Sequence, residues 1–217
     1  MERTPPNRPK AVIFDLDHAL LDSRKAWQYA VEESVAVACG RRIDVRPLSD
    51  EYHRRPWIHA LTLLVPDAVE RQRCEELCVE VSHRSGLKKL LVHDRMGVAL
   101  DQVRASSIEI AAVSRQAHGL ALKQAQSTGL DRFLAVLAAT PQGTLYDPSA
   151  RLSQCVAFME REPAHCVVVS AEPDVRRAAS AAGFPLLFPA WSGDSPAGAL
   201  VIGEPAQILA SLLSLSL

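Results

Sequence analysis

A chain of 217 residues that is 48% hydrophobic can bury a sizeable core, as one domain or as a core with an insert. Its formal net charge of -1 argues against an extended nucleic-acid-binding surface. No apolar run approaches the roughly 18 residues that span a bilayer, and the polar, Pro-rich start Met1 to Lys10 lacks the apolar stretch of a secretory signal. The expectation is a cytoplasmic chain with neither nucleic acid nor membrane as partner.

The first element is the most informative. Ala11-Val-Ile-Phe14 runs straight into Asp15, Leu16 and Asp17, an apolar strand that ends in two carboxylates. Continuous apolar runs of this kind form central strands of parallel sheets, whose chemistry lies just beyond their carboxyl ends. Once the chain turns, one of the two acids can face a ligand while the other serves as its proton partner.

After Ser23, an N-cap candidate, the spacing of Trp27, Ala30, Val31 and Val35 predicts a helix over 24–39 that stops at Gly40. Further helices are expected from Ser49 towards Leu64 and from Asp67 to about Arg84, each opening on a capping residue. Lys88 to Arg95 leads back to a short helix over Gly97 to Ala105 and a second buried strand, Ile108 to Ser114, that ends in a hydroxyl. The chain then alternates: helix to about Gln126, strand near Phe133 to Ala138, helix near Ser149 to Glu160, strand Cys166 to Ser170, helix to Ala182. Short strands at Leu186–Phe188 and Leu200–Ile202 and an apolar helix from Pro205 to Leu217 complete it. This is a βαβ rhythm interrupted once, after the first strand, by consecutive helices.

The five cysteines, Cys39, Cys74, Cys78, Cys155 and Cys166, are odd in number and mostly lie in apolar surroundings, which favours reduced thiols over a disulfide framework. Cys74 and Cys78 fall one helical turn apart, but without a second ligand pair they read as a helix face and not as a zinc site. His53, Arg54, Arg55, Trp57 and His59 form a basic and aromatic cluster that reads as a surface helix, with anion recognition as the alternative. The chain has no Gly-rich Walker loop and no Gly-x-Ser-x-Gly elbow.

The segment Ala11-Val-Ile-Phe-Asp15-Leu-Asp17-His18-Ala19-Leu-Leu-Asp22-Ser23 resembles the first motif of the haloacid dehalogenase (HAD) superfamily of phosphohydrolases, with His18-Ala19 where that motif normally has Gly-Thr. The order of elements extends the resemblance over nearly the whole chain. It implies an α/β fold, a Rossmann-like core with a central parallel sheet (residues 1–23 and 92–217), and a small helical cap (24–91) that closes over the site.

The resemblance also implies roles. Asp15 would be the nucleophile forming an aspartyl phosphate and Asp17 the acid and base. Ser114 would bind a phosphoryl oxygen, with Lys123 as a candidate second phosphate contact, and Mg²⁺ would sit at Asp15 and Asp17 with Glu172 or Asp174 as candidate further ligands. Several parts of the pattern depart. The usual third-motif lysine is missing from Gly143-Thr-Leu-Tyr-Asp-Pro148-Ser-Ala-Arg151, leaving Lys123, Arg115 and Arg151 as substitutes whose simpler reading is solvated helix charge. In Val167-Val-Val-Ser170-Ala171-Glu172-Pro173-Asp174-Val175, Ala171 and Val175 stand where the metal-binding acids belong, so Glu172 and Asp174 are displaced, and their simpler reading is first-turn helix charge.

His18 adds a side chain where the chain normally turns tightly around phosphate. Mg²⁺ is therefore a doubtful cofactor. The expectation is a divergent member with weak or no conventional Mg²⁺-dependent phosphatase activity towards small phosphorylated metabolites. The alternatives are an active phosphatase with atypical metal ligands, or a non-catalytic binding or regulatory protein. The dehalogenase branch, which needs no metal, fits less well because it keeps the lysine and lacks the second aspartate. A homo-oligomer remains open.

Overall fold

The computed structural model describes residues 8–46 and 57–215, with the side chains of 57–60 outside that description. In chain order, β1 (Ala11–Asp15) leads through one π-helical turn (Leu16–Leu20) into β2 (Leu21–Asp22), α1 (Arg24–Cys39), α2 (Trp57–Leu64), α3 (Ala68–His83) and β3 (Leu91–Val92). There follow α4 (Met96–Ala105), β4 (Glu109–Ala117), α5 (His118–Thr128), β5 (Val136–Thr140), α6 (Pro148–Met159), β6 (Cys166–Val169), α7 (Pro173–Ala181), β7 (Leu186–Pro189), β8 (Val201–Ile202) and α8 (Ile208–Ser214).

Every residue of β1 is buried, and its two-residue alternation splits the core into two layers. Val12 and Phe14 join Met96, Leu100, Ala121, Ala125, Ile208 and Leu212, from α4, α5 and α8. Ala11 and Ile13 join Leu152, Cys155, Val175 and Ala179, from α6 and α7. The strand has apolar side chains on both faces because helices cover both. Six strands in the order β5-β4-β1-β6-β7-β8 make the sheet, with parallel pairing at each junction. This is the α/β, Rossmann-like architecture expected from the sequence. β1 lies between β4 and β6, where successive crossovers go to opposite sides, and such a switch point leaves a crevice at the strands' carboxyl ends.

Beyond Ser114 the register of β4 against β5 shifts, so that Ala117 faces Thr140. An irregularity of this kind frees backbone and re-aims side chains beside a site, and here it falls at Ser114 and Arg115. The strand expected near Phe133 starts at Val136 because Asp131–Phe133 forms a 3₁₀ turn that buries Phe133 in the core. The C-terminal helix likewise begins at Ile208, after a 3₁₀ turn over Pro205–Gln207, and residues 216–217 lie outside the described residues.

The chain divides into two compact units, one formed by Met1–Leu21 with Val92–Leu217 and the other by Asp22–Leu91. The second has its own core of Trp27, Val31, Val35, Leu61, Cys74 and Cys78. α1 ends where Gly40 takes the left-handed conformation (φ 64°), the geometry glycine adopts without a Cβ penalty. Asp67 caps α3 by accepting from the amides of Val69 and Glu70, whereas Ser23 makes no side-chain cap bond on α1. Residues 49–56 of the expected second helix, with His53, Arg54 and Arg55, lie outside the described residues, as do the side chains of Trp57 and His59. No described helix is long and apolar enough to cross a membrane.

Candidate active site

The apolar run of β1 ends at Asp15, whose carboxylate caps the π-helical turn that follows. Its Oδ1 accepts the Asp17 amide at 3.0 Å. Its Oδ2 accepts from the Ser170 hydroxyl at 3.2 Å and lies 3.3 Å from His18 Nδ1. Ser170 follows the end of β6, and its own Oγ accepts the Glu172 amide at 3.0 Å. Across the crevice, Asp17 Oδ2 accepts from Ser114 Oγ at 2.9 Å and from the Arg115 amide at 3.1 Å, which the register shift in β4 presents to it. Asp15, Asp17, Ser114 and Ser170 are all buried. The carboxylate that ends β1 and the one in the turn after it thus meet two hydroxyls, one in β4 and one just beyond β6.

The π turn itself is held by its carbonyls. Ser192 Oγ donates to the His18 carbonyl at 2.7 Å, His93 Nε2 lies 3.1 Å from the same oxygen, and Trp191 Nε1 donates to the Ala19 carbonyl at 3.0 Å. Ala19 has no hydroxyl to order the turn, and these donors fix it from outside.

Charge is packed densely. Burial drives the Asp17 carboxyl up to about 6, and the neighbouring Asp15 charge adds to this, while His18, Ser114 and the Arg115 amide pull the other way. For His18, burial opposes the charged ring, yet Asp15, Asp17 and Glu172 prevail and carry it up to about 9, so it is an imidazolium at neutral pH. Burial also raises Glu172, against the pull of Arg115. The Arg115 guanidinium is ion-paired with Glu172, lies 3.7 Å from Asp174 Oδ2, and stacks over Tyr146 at 5.3 Å from the ring centroid. Tyr146 is held neutral by burial and by the nearby Asp15 and Asp17 charges.

The structure therefore brings Asp15, Asp17 and Ser114 together, with His18 among them, and brings Glu172 and Asp174 to Arg115. Arg115 is no solvated helix charge: it lies in β4 and faces the acids after β6. Lys123 is exposed on α5 and takes no part in the hydrogen bonds or ion pairs of the cluster. Arg151 instead braces the end of β5, donating to the Ala139 carbonyl at 3.0 Å and to Gln154 at 2.8 Å. Sequence reasoning did not single out Ser170, Tyr146, Ser192 or Trp191. Only Ser170 carried a signal, since it ends an apolar strand as Ser114 does.

Mg²⁺ needs near-octahedral oxygen donors, usually including one or two free carboxylates. Among the described residues no three His, Cys, Asp or Glu side chains converge where a metal ion could sit. The acids after β6 are paired to a guanidinium, and an imidazolium lies against Asp15. On charge and on donors the cluster does not fit Mg²⁺.

No protein-family model and no curated protein matches the chain. Solved structures do. A HAD-superfamily hydrolase of subfamily IA, variant 1, from Geobacter sulfurreducens superposes with a TM-score of 0.79 at 16% identity, over 97% of this chain and 100% of that one. A "predicted phosphatase" from Clostridium acetobutylicum gives 0.77 at 14% identity, over 96% and 100%. Mycobacterium tuberculosis protein tyrosine kinase A gives 0.80 at 17% identity, over 94% and 98%. The chain has the HAD-like fold, and proteins named for different chemistries share it.

Proposed function

We propose that this chain is a HAD-fold protein with weak or no conventional Mg²⁺-dependent phosphatase activity, whose strand-end cluster uses its own cations where such an enzyme would use a metal. The observation that carries the reading is the pairing of Glu172 and Asp174 with Arg115, together with His18 Nδ1 at 3.3 Å from Asp15. Four carboxylates, Asp15, Asp17, Glu172 and Asp174, share three cationic side chains, His18, Arg115 and the exposed Arg177. At ~4 Å and an effective dielectric of ~20, two unit charges interact by roughly 4 kcal/mol. An incoming phosphate dianion would meet residual negative charge that no lysine or divalent ion offsets, which corresponds to a loss of several factors of ten in affinity or rate. Residues 24–91 are retained in this reading as a cap, and small phosphorylated metabolites as the ligand class.

One observation favours an active enzyme instead. A carboxyl raised to about 6, as at Asp17, is suited to pass a proton near neutral pH. Under that reading Asp15 would attack phosphorus while Asp17 protonates the leaving oxygen and then activates water, with Ser114 as a phosphoryl contact.

The discriminating experiment is phosphate release from a panel of phosphorylated metabolites, with Mg²⁺, Mn²⁺ or chelator, for the wild type and Asp15→Asn. The proposal expects no metal-dependent turnover above the variant in folded protein. Metal-dependent turnover that Asp15→Asn abolishes would overturn it in favour of the enzyme.

A further inference from the structure

Cys39 is the last residue of α1, half-buried, and its Sγ lies 3.7 Å from Sγ of buried Cys74 on α3. The two helices run antiparallel here: Cys74 Sγ reaches the Ser34 carbonyl at 3.9 Å, whereas Cys78, one turn further along α3, reaches back to the Ala30 carbonyl at 3.4 Å. Cys78 is also 2.9 Å from Ser34 Oγ, so its thiol already has a polar partner on α1. All three cysteines are free thiols.

We propose that Cys39 and Cys74 form a dithiol oxidation site, converted to an intramolecular disulfide by a small-molecule disulfide such as oxidised glutathione. The supporting features are distance, access and slack. A disulfide requires the sulfurs to close to about 2.05 Å, a movement of side-chain size from the present contact. Cys39 is the solvent-accessible partner, beside the left-handed Gly40 where α1 ends and the last turn is least constrained. Burial pushes the Cys74 thiol up to about 12, so Cys74 remains a thiol until Cys39 has reacted.

The sequence of steps follows from the difference in exposure, Cys39 being half-buried and Cys74 buried. The Cys39 thiolate attacks one sulfur of the small disulfide, forms a mixed disulfide and releases one thiolate. Cys74 gives its proton to that thiolate and attacks Cys39 Sγ, expelling the second thiolate. The two protein thiols together lose two electrons, and the small disulfide is reduced to two thiols. The product links α1 to α3 and closes the chain from Cys39 to Cys74, which constrains the unfolded state of the helical unit. This inference is independent of the reading proposed for the strand-end cluster.

The test treats the full chain with oxidised glutathione, blocks remaining thiols under denaturing conditions, and maps the products by mass spectrometry. The expected result is a loss of two hydrogens, a Cys39–Cys74 linked peptide, three blocked thiols, and reversal by dithiothreitol. The melting temperature of the helical unit should rise by about 5 °C on oxidation, and Cys39→Ser should abolish both changes. Cys74→Ala supplies a second variant, and because Cys39→Ser alters a half-exposed position, it keeps the test valid if the buried replacement misfolds. Five blocked thiols after treatment, a persistent glutathione adduct on Cys39, or a linkage through Cys78 would each overturn the proposal.

Discussion

The β1 and β6 sides of the cluster hold their carboxylates in different ways. Asp15 and Asp17 are buried and accept from hydroxyls and backbone amides, with the His18 ring as their cation. Glu172 and Asp174, in the first turn of α7 and its approach, pair with the half-exposed Arg115 guanidinium, and Asp174 also with Arg177. The first side is anchored in part by backbone amides, those of Asp17 on Asp15 and of Arg115 on Asp17. On the second side Glu172 is held by one flexible cation and can be released by one substitution, whereas Asp174 also pairs with Arg177. A fold can keep a nucleophile's position while the charges needed to use it have been reassigned.

The largest expected effect comes from the cation of the β1 side. His18 has a folded value of about 9 against an ordinary 6.5. A base raised on folding contributes stability that is fully present below about 6.5 and is lost as pH rises through about 9. The shift corresponds to at most about 3 kcal/mol. Urea unfolding of the wild type and His18→Asn should therefore differ most near pH 6 and converge above pH 9. A difference that is flat across that window would mean that His18 is neutral and that the two sides are not distinguished by charge.

Asp17 gives the next effect, with the corresponding sign. Its folded value of about 6 lies above the ordinary 3.8, so the proton is held more tightly in the folded state and stability falls as pH rises from about 4 to 6, by roughly 3 kcal/mol at most. Asp17→Asn removes that slope. Stability curves of the variant and wild type between pH 4 and 7 check it, and parallel curves would contradict it.

Arg115→Ala sharpens the comparison from the other side. It unpairs Glu172, leaves Asp174 to Arg177 alone and removes the stack on Tyr146, and because the guanidinium is half-exposed the cost should be about 1 kcal/mol and should shrink in high salt. Ser170→Ala removes one of the donors to Asp15 Oδ2 and should cost about 1 kcal/mol with little salt dependence. Lys123→Ala should change stability by less than ~0.5 kcal/mol, as expected for an exposed helix position.

Much of the fold was legible because its signals are local. The apolar runs at Ala11, Ile110 and Cys166 can only be satisfied by strands covered on both faces, and Gly40 and Asp67 mark helix ends by their own chemistry. Phe133 misled because a buried aromatic beside a strand has the same pattern as one within it. At the site, Asp15, Asp17 and Ser114 were legible from their strand-end positions. Arg115 was not, since the register shift that turns its amide to Asp17 and its guanidinium to Glu172 depends on pairing with β5. Tyr146 reaches the cluster from a loop, and Trp191 and Ser192 from a three-residue 3₁₀ turn, Ala190–Ser192, too short for any periodicity to describe.

The most direct measurement of the central claim is a calorimetric titration of the wild type and Arg115→Ala with Mn²⁺. The account predicts no binding by the wild type up to millimolar metal, because its acids are already paired with His18, Arg115 and Arg177, and measurable binding once removal of Arg115 frees Glu172. A single Mn²⁺ bound by the wild type with submillimolar affinity, and lost in Asp15→Asn, would contradict it.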